Sequence, residues 1–214
     1  MNMINRRALL ALSASMAALL TAAPVLAQET TPAPDATAAA PVKDFSIGDP
    51  NAPIKMVEYA SYTCPHCANF HATVYKQLKT DYIDTGKVHF TLREVYFDRY
   101  GLWAALVARC GGDLRYFGIS DMLFDQQSDW AASSDPTVAV QKLRTIGLTA
   151  GLTNEQLDAC LADAAQVDAL VKHFEEGMQA DQIEGTPTLI IDGEKHGNMS
   201  YADLKAILDP KLGG

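Results

Sequence analysis

Basic residues are scarce in this chain. It carries 17 Lys and Arg against 26 Asp and Glu, which gives a formal net charge of −9. A nucleic-acid binder usually presents a basic patch to the phosphates, so this balance argues against a nucleic-acid partner. Long apolar runs are also missing. The run at residues 8–20 is too short for a transmembrane helix, and no other run is long enough, so we expect no stable membrane insertion.

The first 44 residues have the composition of a targeting segment and a linker. Arg6 and Arg7 precede the apolar run, and the small residues up to Ala27 suit a cleavage site, so residues 1–27 are predicted to be a signal peptide cut after Ala27. Residues 5–10 loosely resemble a twin-arginine signal, although the general secretory route is favoured. Residues 28–44 are rich in Pro, Ala and Thr, which is typical of a disordered linker.

Cysteines number only four, and two of them form the motif Cys64-Pro65-His66-Cys67. Residues 54–60 before the motif have the pattern of a buried strand, and the residues after it have the pattern of an amphipathic helix. Pro65 suits the first turn of that helix. The unpaired N–H groups and the positive dipole end of a helix N-terminus favour a thiolate at Cys64, which is the form that attacks disulfides. The motif therefore predicts thiol–disulfide exchange.

The remaining pattern predicts an α/β protein with the element order β-α-β, a block of helices, then β-β-α. The motif helix is expected to run to about Asp84 and to end before Gly86, and residues 87–97 are expected to form a strand. Further helices are predicted at 102–109, 114–130, 136–146, from Thr153, at 167–178 and at 201–208, with a strand at 188–191 and a hairpin turn at Asp192-Gly193.

The sequence resembles the DsbA-like thiol oxidoreductases of the bacterial periplasm. The resemblance rests on residues 46–53, Val57-Glu58-Tyr59, the Cys-Pro-His-Cys motif and residues 185–188, and it extends in element order from Phe45 to the C-terminus. It implies a thioredoxin-like fold formed by residues 45–99 and 184–214, with an inserted helical domain at 100–183. It also implies a location in the periplasm.

The motif residues are expected to have different roles in thiol–disulfide exchange. Cys64 is the predicted nucleophile because it lies nearest the helix end, and Cys67, one turn further, is the predicted resolving thiol. His66 is expected to add a donor beside the sulfur, and a positive charge when it is protonated. A stable Cys64 thiolate stabilises the reduced protein, so the disulfide becomes a stronger oxidant.

Three further site residues follow from the resemblance. The family carries an acidic residue at the position of Glu58, beneath the cysteines, where a carboxylate can exchange a proton with Cys67. The alternative for Glu58 is an acid at a strand edge, paired with Lys55 or solvent. In this superfamily the proline at Pro187 is cis and lies against the redox pair, with the Thr186 backbone turned towards an extended substrate. A trans proline at a strand start is the alternative.

The other two cysteines, Cys110 and Cys160, remain once Cys64 and Cys67 are paired by their spacing. Export favours a structural disulfide between them, because disulfides persist outside the cytosol. Two separate buried thiols are the alternative. Their spacing does not suit a second exchange centre.

Metal binding is the rival interpretation of the motif. Cys64 and Cys67 with His66 or His71 have ligand-like spacing, but structural zinc takes four ligands and the sequence has no second Cys-x-x-Cys or histidine pair. We therefore expect no metal and no cofactor. His71 is expected to be a solvated helix residue.

The predicted function is a periplasmic disulfide oxidase that acts on unfolded or newly exported cysteine-containing proteins. By analogy with the family, a membrane quinone-coupled reductase of the DsbB kind is the expected reoxidant. A disulfide isomerase or reductase of the same fold is the alternative, because the founding oxidase has Val before its cis proline, whereas Thr, as at Thr186, is usual in the isomerase branch. The absence of a separate dimerisation domain opposes that alternative.

Overall fold

The computed structural model describes residues 42–213. The expected signal peptide at 1–27 and most of the expected linker at 28–44 lie outside the described residues, and both stay predictions.

Five strands form a single mixed sheet within the described part of the chain. They are β1 Phe45–Ile47, β2 Ile54–Ala60, β3 Val88–Glu94, β4 Thr188–Ile191 and β5 Glu194–His196. The spatial order is β1-β3-β2-β4-β5, with β2 and β3 parallel and every other neighbouring pair antiparallel. This arrangement confirms the predicted α/β class and the β-α-β and β-β-α halves. Strand β2, which leads into the cysteine motif, is the central strand.

One long helix connects β2 to β3, and it is called the motif helix here. It occupies residues 65–83 as four consecutive stretches, Pro65–Phe70, His71–Tyr75, Lys76–Leu78 and Lys79–Ile83, of which the second and fourth are π-helical. A π-helical turn within an α-helix is frequent at functional sites. The other described helices are Arg99–Cys110, Gly112–Asp125, Gln127–Trp130, Pro136–Thr149, Asn154–Ala162, Ala164–Ala180 and Tyr201–Lys211.

Local signals account for several of these boundaries. The carboxylate of Asp135 accepts from the backbone N–H of Thr137, so the helix begins at Pro136 as predicted. The predicted capping box at Thr153 is also present, because its hydroxyl and the side chain of Gln156 bond to each other's backbone N–H groups. The turn at Asp192-Gly193 joins β4 to β5 with positive φ angles of 49° and 87°, which confirms the predicted hairpin.

The sequence pattern was wrong about one strand and about several element boundaries. It did not predict β1, whose three residues pair with β3 through the register Phe45↔Leu92. Strand β3 ends at Glu94 rather than at residue 97. The helix expected at 114–130 is two helices, because Gln126 leaves helical geometry with φ −105° and ψ 12°. The helices Arg99–Cys110 and Ala164–Ala180 begin three residues before their predicted starts, and Pro136–Thr149 and Tyr201–Lys211 end three residues after their predicted ends.

The two faces of β2 belong to different parts of the core. Ile54, Met56 and Ala60 join the main apolar cluster, which the motif helix and helices between β3 and β4 also line. Val57 and Tyr59 face a smaller cluster that includes Phe174 of the helix Ala164–Ala180. Since side chains alternate along a strand, Glu58 points into the main cluster with the first set.

Candidate active site

The cysteine motif sits where β2 passes into the motif helix. Cys64 is the N-cap residue, with φ −83° and ψ 118°, and Pro65 occupies the first helical position. The carbonyl of Cys64 accepts from the backbone N–H groups of Cys67 and Ala68, at 3.1 and 3.2 Å. The extended backbone of Cys64 therefore starts the helix and places its sulfur at the helix N-terminus.

The two motif cysteines have opposite environments, and neither is bridged. Cys64 is partly exposed, whereas Cys67 is fully buried. The pKa of Cys64 is lowered to about 5, chiefly because the thiol of Cys67 hydrogen-bonds to its sulfur, with smaller contributions from Thr186 and from the backbone N–H groups of Cys67 and His66. The pKa of Cys67 is raised for three reasons. Its thiol donates a hydrogen bond to the sulfur of Cys64, it is buried, and the charge of Glu58 is nearby.

The side chain of His66 is exposed at the start of the motif helix. Its backbone N–H, rather than its ring, is among the groups that lower the pKa of Cys64. The expected effect of a charged His66 ring stays a prediction.

Thr186 lies beside Cys64, and Pro187 follows it in the chain. The Thr186–Pro187 peptide bond is cis. The thiol of Cys64 donates to the carbonyl oxygen of Thr186, with 3.4 Å between the sulfur and the oxygen. The buried hydroxyl of Thr186 lowers the pKa of both motif thiols without good hydrogen-bond geometry to either. The fold thus brings the start of β4 against the motif, although 122 positions separate the two in sequence.

Glu58 is fully buried in the central strand, so it is not a strand-edge acid, and Lys55 bonds instead to the carbonyl of Pro50. Its Oε2 lies 3.0 Å from Nε2 of His71. The expectation that His71 is solvated is therefore wrong: only 3% of the residue is exposed. The pattern of the helix does not show this burial, because it depends on what the turn after Cys67 packs against.

Sequence reasoning missed the residues that hold the backbone around Cys64. Gln127 is buried, and its side-chain amide donates to the carbonyls of Tyr62 and Cys64, at 2.8 and 2.9 Å. On the other side, the hydroxyl of Thr63 donates to Asp98, which caps the helix Arg99–Cys110. No local signal marks Gln127, because its partners lie 63 and 65 positions away.

Cys110 and Cys160 form a disulfide, with an S–S distance of 2.14 Å and Cα atoms 5.9 Å apart. It joins the end of the helix Arg99–Cys110 to the helix Asn154–Ala162. Both helices belong to the block between β3 and β4.

The donor groups near the motif do not form a metal cage. Across residues 42–213, no group of three or more His, Cys, Asp or Glu side chains is arranged to hold a metal ion. His71, one of the ligands weighed for zinc, is paired with Glu58.

In the same part of the chain, no helix combines the length and the apolar character needed to cross a membrane.

Comparison with known proteins gives the class of this chain. A family model described as Thioredoxin matches residues 41–210, and the chain belongs to that family. A Rickettsia bellii relative named as a protein-disulfide oxidoreductase is 34% identical over 170 residues. The match covers 79% of this chain and 64% of that relative, so the chain spans somewhat less than two thirds of it.

Solved structures show which kind of protein within the family the chain resembles. Wolbachia pipientis alpha-DsbA1 is 29% identical, with a TM-score of 0.74 over 79% of this chain and 91% of that one. BdbD from Bacillus subtilis, at 22% identity, shares the fold with a TM-score of 0.70 over 80% and 94% of the two chains. The resemblance to DsbA-like proteins is thereby confirmed.

Proposed function

We propose that this chain is an exported thiol:disulfide oxidoreductase that donates its Cys64–Cys67 disulfide to cysteine-containing proteins. The observation that carries the proposal is the placement of two thiols at the start of the motif helix, with Cys64 partly exposed at the N-cap and Cys67 buried. The pKa of Cys64 is lowered and that of Cys67 is raised, in line with this placement. A thiolate that is stable at Cys64 is a good leaving group. It also stabilises the reduced protein, which makes the oxidised protein the stronger oxidant.

The reaction takes two exchange steps. A substrate thiolate attacks Sγ of Cys64, the bond between Cys64 and Cys67 breaks, and its electron pair goes to the sulfur of Cys67, which takes up a proton. A second substrate thiolate then attacks the substrate sulfur of the mixed disulfide, and Cys64 leaves as a thiolate. The substrate loses two electrons and gains a disulfide, and the protein gains the two electrons.

Substrate docking is assigned to the backbone at Thr186 and Pro187. The Thr186 carbonyl lies 3.4 Å from the sulfur of Cys64, so a polypeptide that pairs with this backbone would bring its own sulfur to the nucleophile. Unfolded and newly exported chains suit this mode, because their backbone groups are free to pair. The resemblance to DsbA-like proteins supports this docking site.

The setting of the reaction follows from the same resemblance. Residues 1–27 act as the signal peptide, the working compartment is the periplasm, and a DsbB-like quinone reductase of the membrane reoxidises Cys64 and Cys67. Export is consistent with the second disulfide at Cys110 and Cys160, because such bonds persist outside the cytosol.

A disulfide isomerase is the second candidate, and Thr186 before the cis proline is the feature that favours it. The two are separated by mixing the oxidised protein with a reduced two-cysteine polypeptide and the reduced protein with a scrambled multi-disulfide protein. An oxidase oxidises the first rapidly and unscrambles the second poorly. Efficient unscrambling, with a reduction potential close to that of glutathione, would identify an isomerase instead.

The roles of the two thiols are tested by trapping. Cys67→Ser is expected to accumulate mixed disulfides with substrates through Cys64, because no thiol remains to resolve them, and Cys64→Ser is expected to accumulate none. Nonreducing gels of the two variants show which of them accumulates mixed disulfides. Trapping by Cys64→Ser alone would reverse the assignment.

A further inference from the structure

A buried acid–base pair lies beneath the redox centre. Glu58 on β2 and His71 on the motif helix face each other with 3.0 Å between Oε2 and Nε2. Their side chains are 0% and 4% exposed. His71 comes four residues after Cys67, which places it on the same face of the helix. The charge of Glu58 is also one of the causes that raise the pKa of Cys67, so the carboxylate acts on the resolving thiol.

Within residues 42–213, the ion-pair partner of Glu58 is His71 alone. Its neighbours across the sheet are Leu92 on β3 and Leu189 on β4. Its second oxygen, Oε1, is buried and has no hydrogen-bond partner in the described part of the chain. An ionised carboxylate in such a place is costly unless a partner compensates it, and His71 is the group in hydrogen-bond contact.

His71 is fixed in position by its aromatic neighbours. Its ring is stacked on Phe124 at 3.9 Å between centroids and packs against Tyr75 at 4.5 Å. The titratable groups that face the pair are Cys67 and Tyr75 on the motif helix and Asp121 on the helix Gly112–Asp125. Burial raises the pKa of Asp121, and the nearby His71 offsets part of that rise. The neighbouring strands β3 and β4 place Leu92 and Leu189 beside Glu58.

We propose that His71 is a positioning residue that holds Glu58 beneath Cys67 and shares one proton with it, so that the pair, rather than Glu58 alone, exchanges the proton of Cys67. This inference rests on the proposed oxidoreductase function. It gives a role to a residue that looks like an ordinary surface histidine in the sequence.

The proton balance of the first exchange step is then complete. The substrate thiolate bonds to Cys64, the Cys64–Cys67 bond breaks, and Cys67 receives the electron pair. The pair transfers its proton to that sulfur, because burial disfavours a thiolate there. Glu58 and His71 are left with one proton fewer, which solvent replaces. In reoxidation the pair first releases its proton to solvent and then takes the proton from the Cys67 thiol, which becomes the attacking thiolate.

The test is the pH profile with which the oxidised protein is reduced by glutathione, corrected for the thiolate fraction of glutathione. In the wild type the corrected rate constant should fall with rising pH as the pair loses its proton. His71→Gln keeps a donor towards Glu58 but removes the basic ring, so the midpoint of its profile should be displaced from that of the wild type. Glu58→Gln should abolish the fall.

The matched control is His89→Gln, which removes a partly buried histidine of β3 that is not among the groups facing the pair, and its midpoint should equal that of the wild type. A His71→Gln profile that superimposes on the wild type, a Glu58→Gln profile that still falls, or a flat wild-type profile would contradict the proposal.

A second measurement does not depend on the variants folding. The ring nitrogens of His71 in the wild-type protein, followed by NMR over the same pH range, should titrate with the midpoint of the rate profile. A ring that keeps one protonation state throughout would contradict the shared proton. Failure of the proposed function is distinct, because wild-type protein would then exchange no disulfide with glutathione at any pH.

Discussion

At the scale of single residues, the contact between the two motif thiols is the main cause of their opposite pKa shifts. The largest single cause of the low pKa of Cys64 is the donor thiol of Cys67, which exceeds the contributions of Thr186 and the backbone N–H groups. The helix N-terminus alone is therefore an incomplete explanation. A reactive thiolate here needs a partner that keeps its own proton, and burial of Cys67 ensures that it does.

The first prediction follows from that hydrogen bond. Cys67→Ala removes the donor, so the pKa of Cys64 should rise from about 5 towards the value of about 8.5 for a free thiol. Cys67→Ser keeps an O–H donor, so its value should stay below that of Cys67→Ala. The ultraviolet absorbance of the thiolate, titrated in both variants, is the measurement. Equal midpoints in the two variants would show that the side chain at position 67 is not the main cause.

At the scale of elements, the segment that carries Cys64 is fixed by helices from the block between β3 and β4. Gln127 bonds to the carbonyls of Tyr62 and Cys64, and Asp98 accepts from Thr63. This part of the chain thus holds the backbone of the cysteine motif in place through side-chain hydrogen bonds.

The second prediction concerns Gln127. Gln127→Leu leaves the buried carbonyl of Tyr62 without this donor, and the free energy of unfolding should fall by about 1–3 kcal/mol. The neighbouring Gln126 is exposed, so Gln126→Leu is a matched control that should change stability by less than about 0.5 kcal/mol. Urea unfolding of both variants provides the comparison. Equal losses would mean that the amide of Gln127 does not support the loop.

At the scale of the whole molecule, the Cys110–Cys160 disulfide closes a long loop within the helical block. The two residues are 50 positions apart, and three helices lie between them, of which Gly112–Asp125 and Gln127–Trp130 pack against the motif helix. Cross-linking positions this far apart restricts the unfolded chain more than the folded one.

The third prediction is that Cys110→Ala/Cys160→Ala loses about 4 kcal/mol of unfolding free energy, on the loop-entropy relation for this separation. The control is thiol labelling of the wild type after mild reduction, which should count two free thiols, those of Cys64 and Cys67. A count of four free thiols, or a double variant as stable as the wild type, would show that the Cys110–Cys160 disulfide does not stabilise the fold.

Sequence alone determined the features that depend on neighbours a few positions apart. The motif at the start of a helix, the N-cap at Asp135, the capping box at Thr153 and the turn at Asp192-Gly193 each follow from contacts within a few residues. Local propensities and hydrogen bonds decide such features, so the fold class and the two motif cysteines could be predicted from the printed sequence.

Tertiary structure alone decided which distant groups meet at the site. Glu58 meets His71 across 13 positions, Gln127 meets Cys64 across 63, and the short edge strand β1 pairs with β3 across about 45. A buried histidine and a solvated one have the same local pattern, because the difference lies in what packs against the helix. The environment of the Cys67 proton is therefore a property of the packed core, set by which face of β2 lies beneath the motif helix.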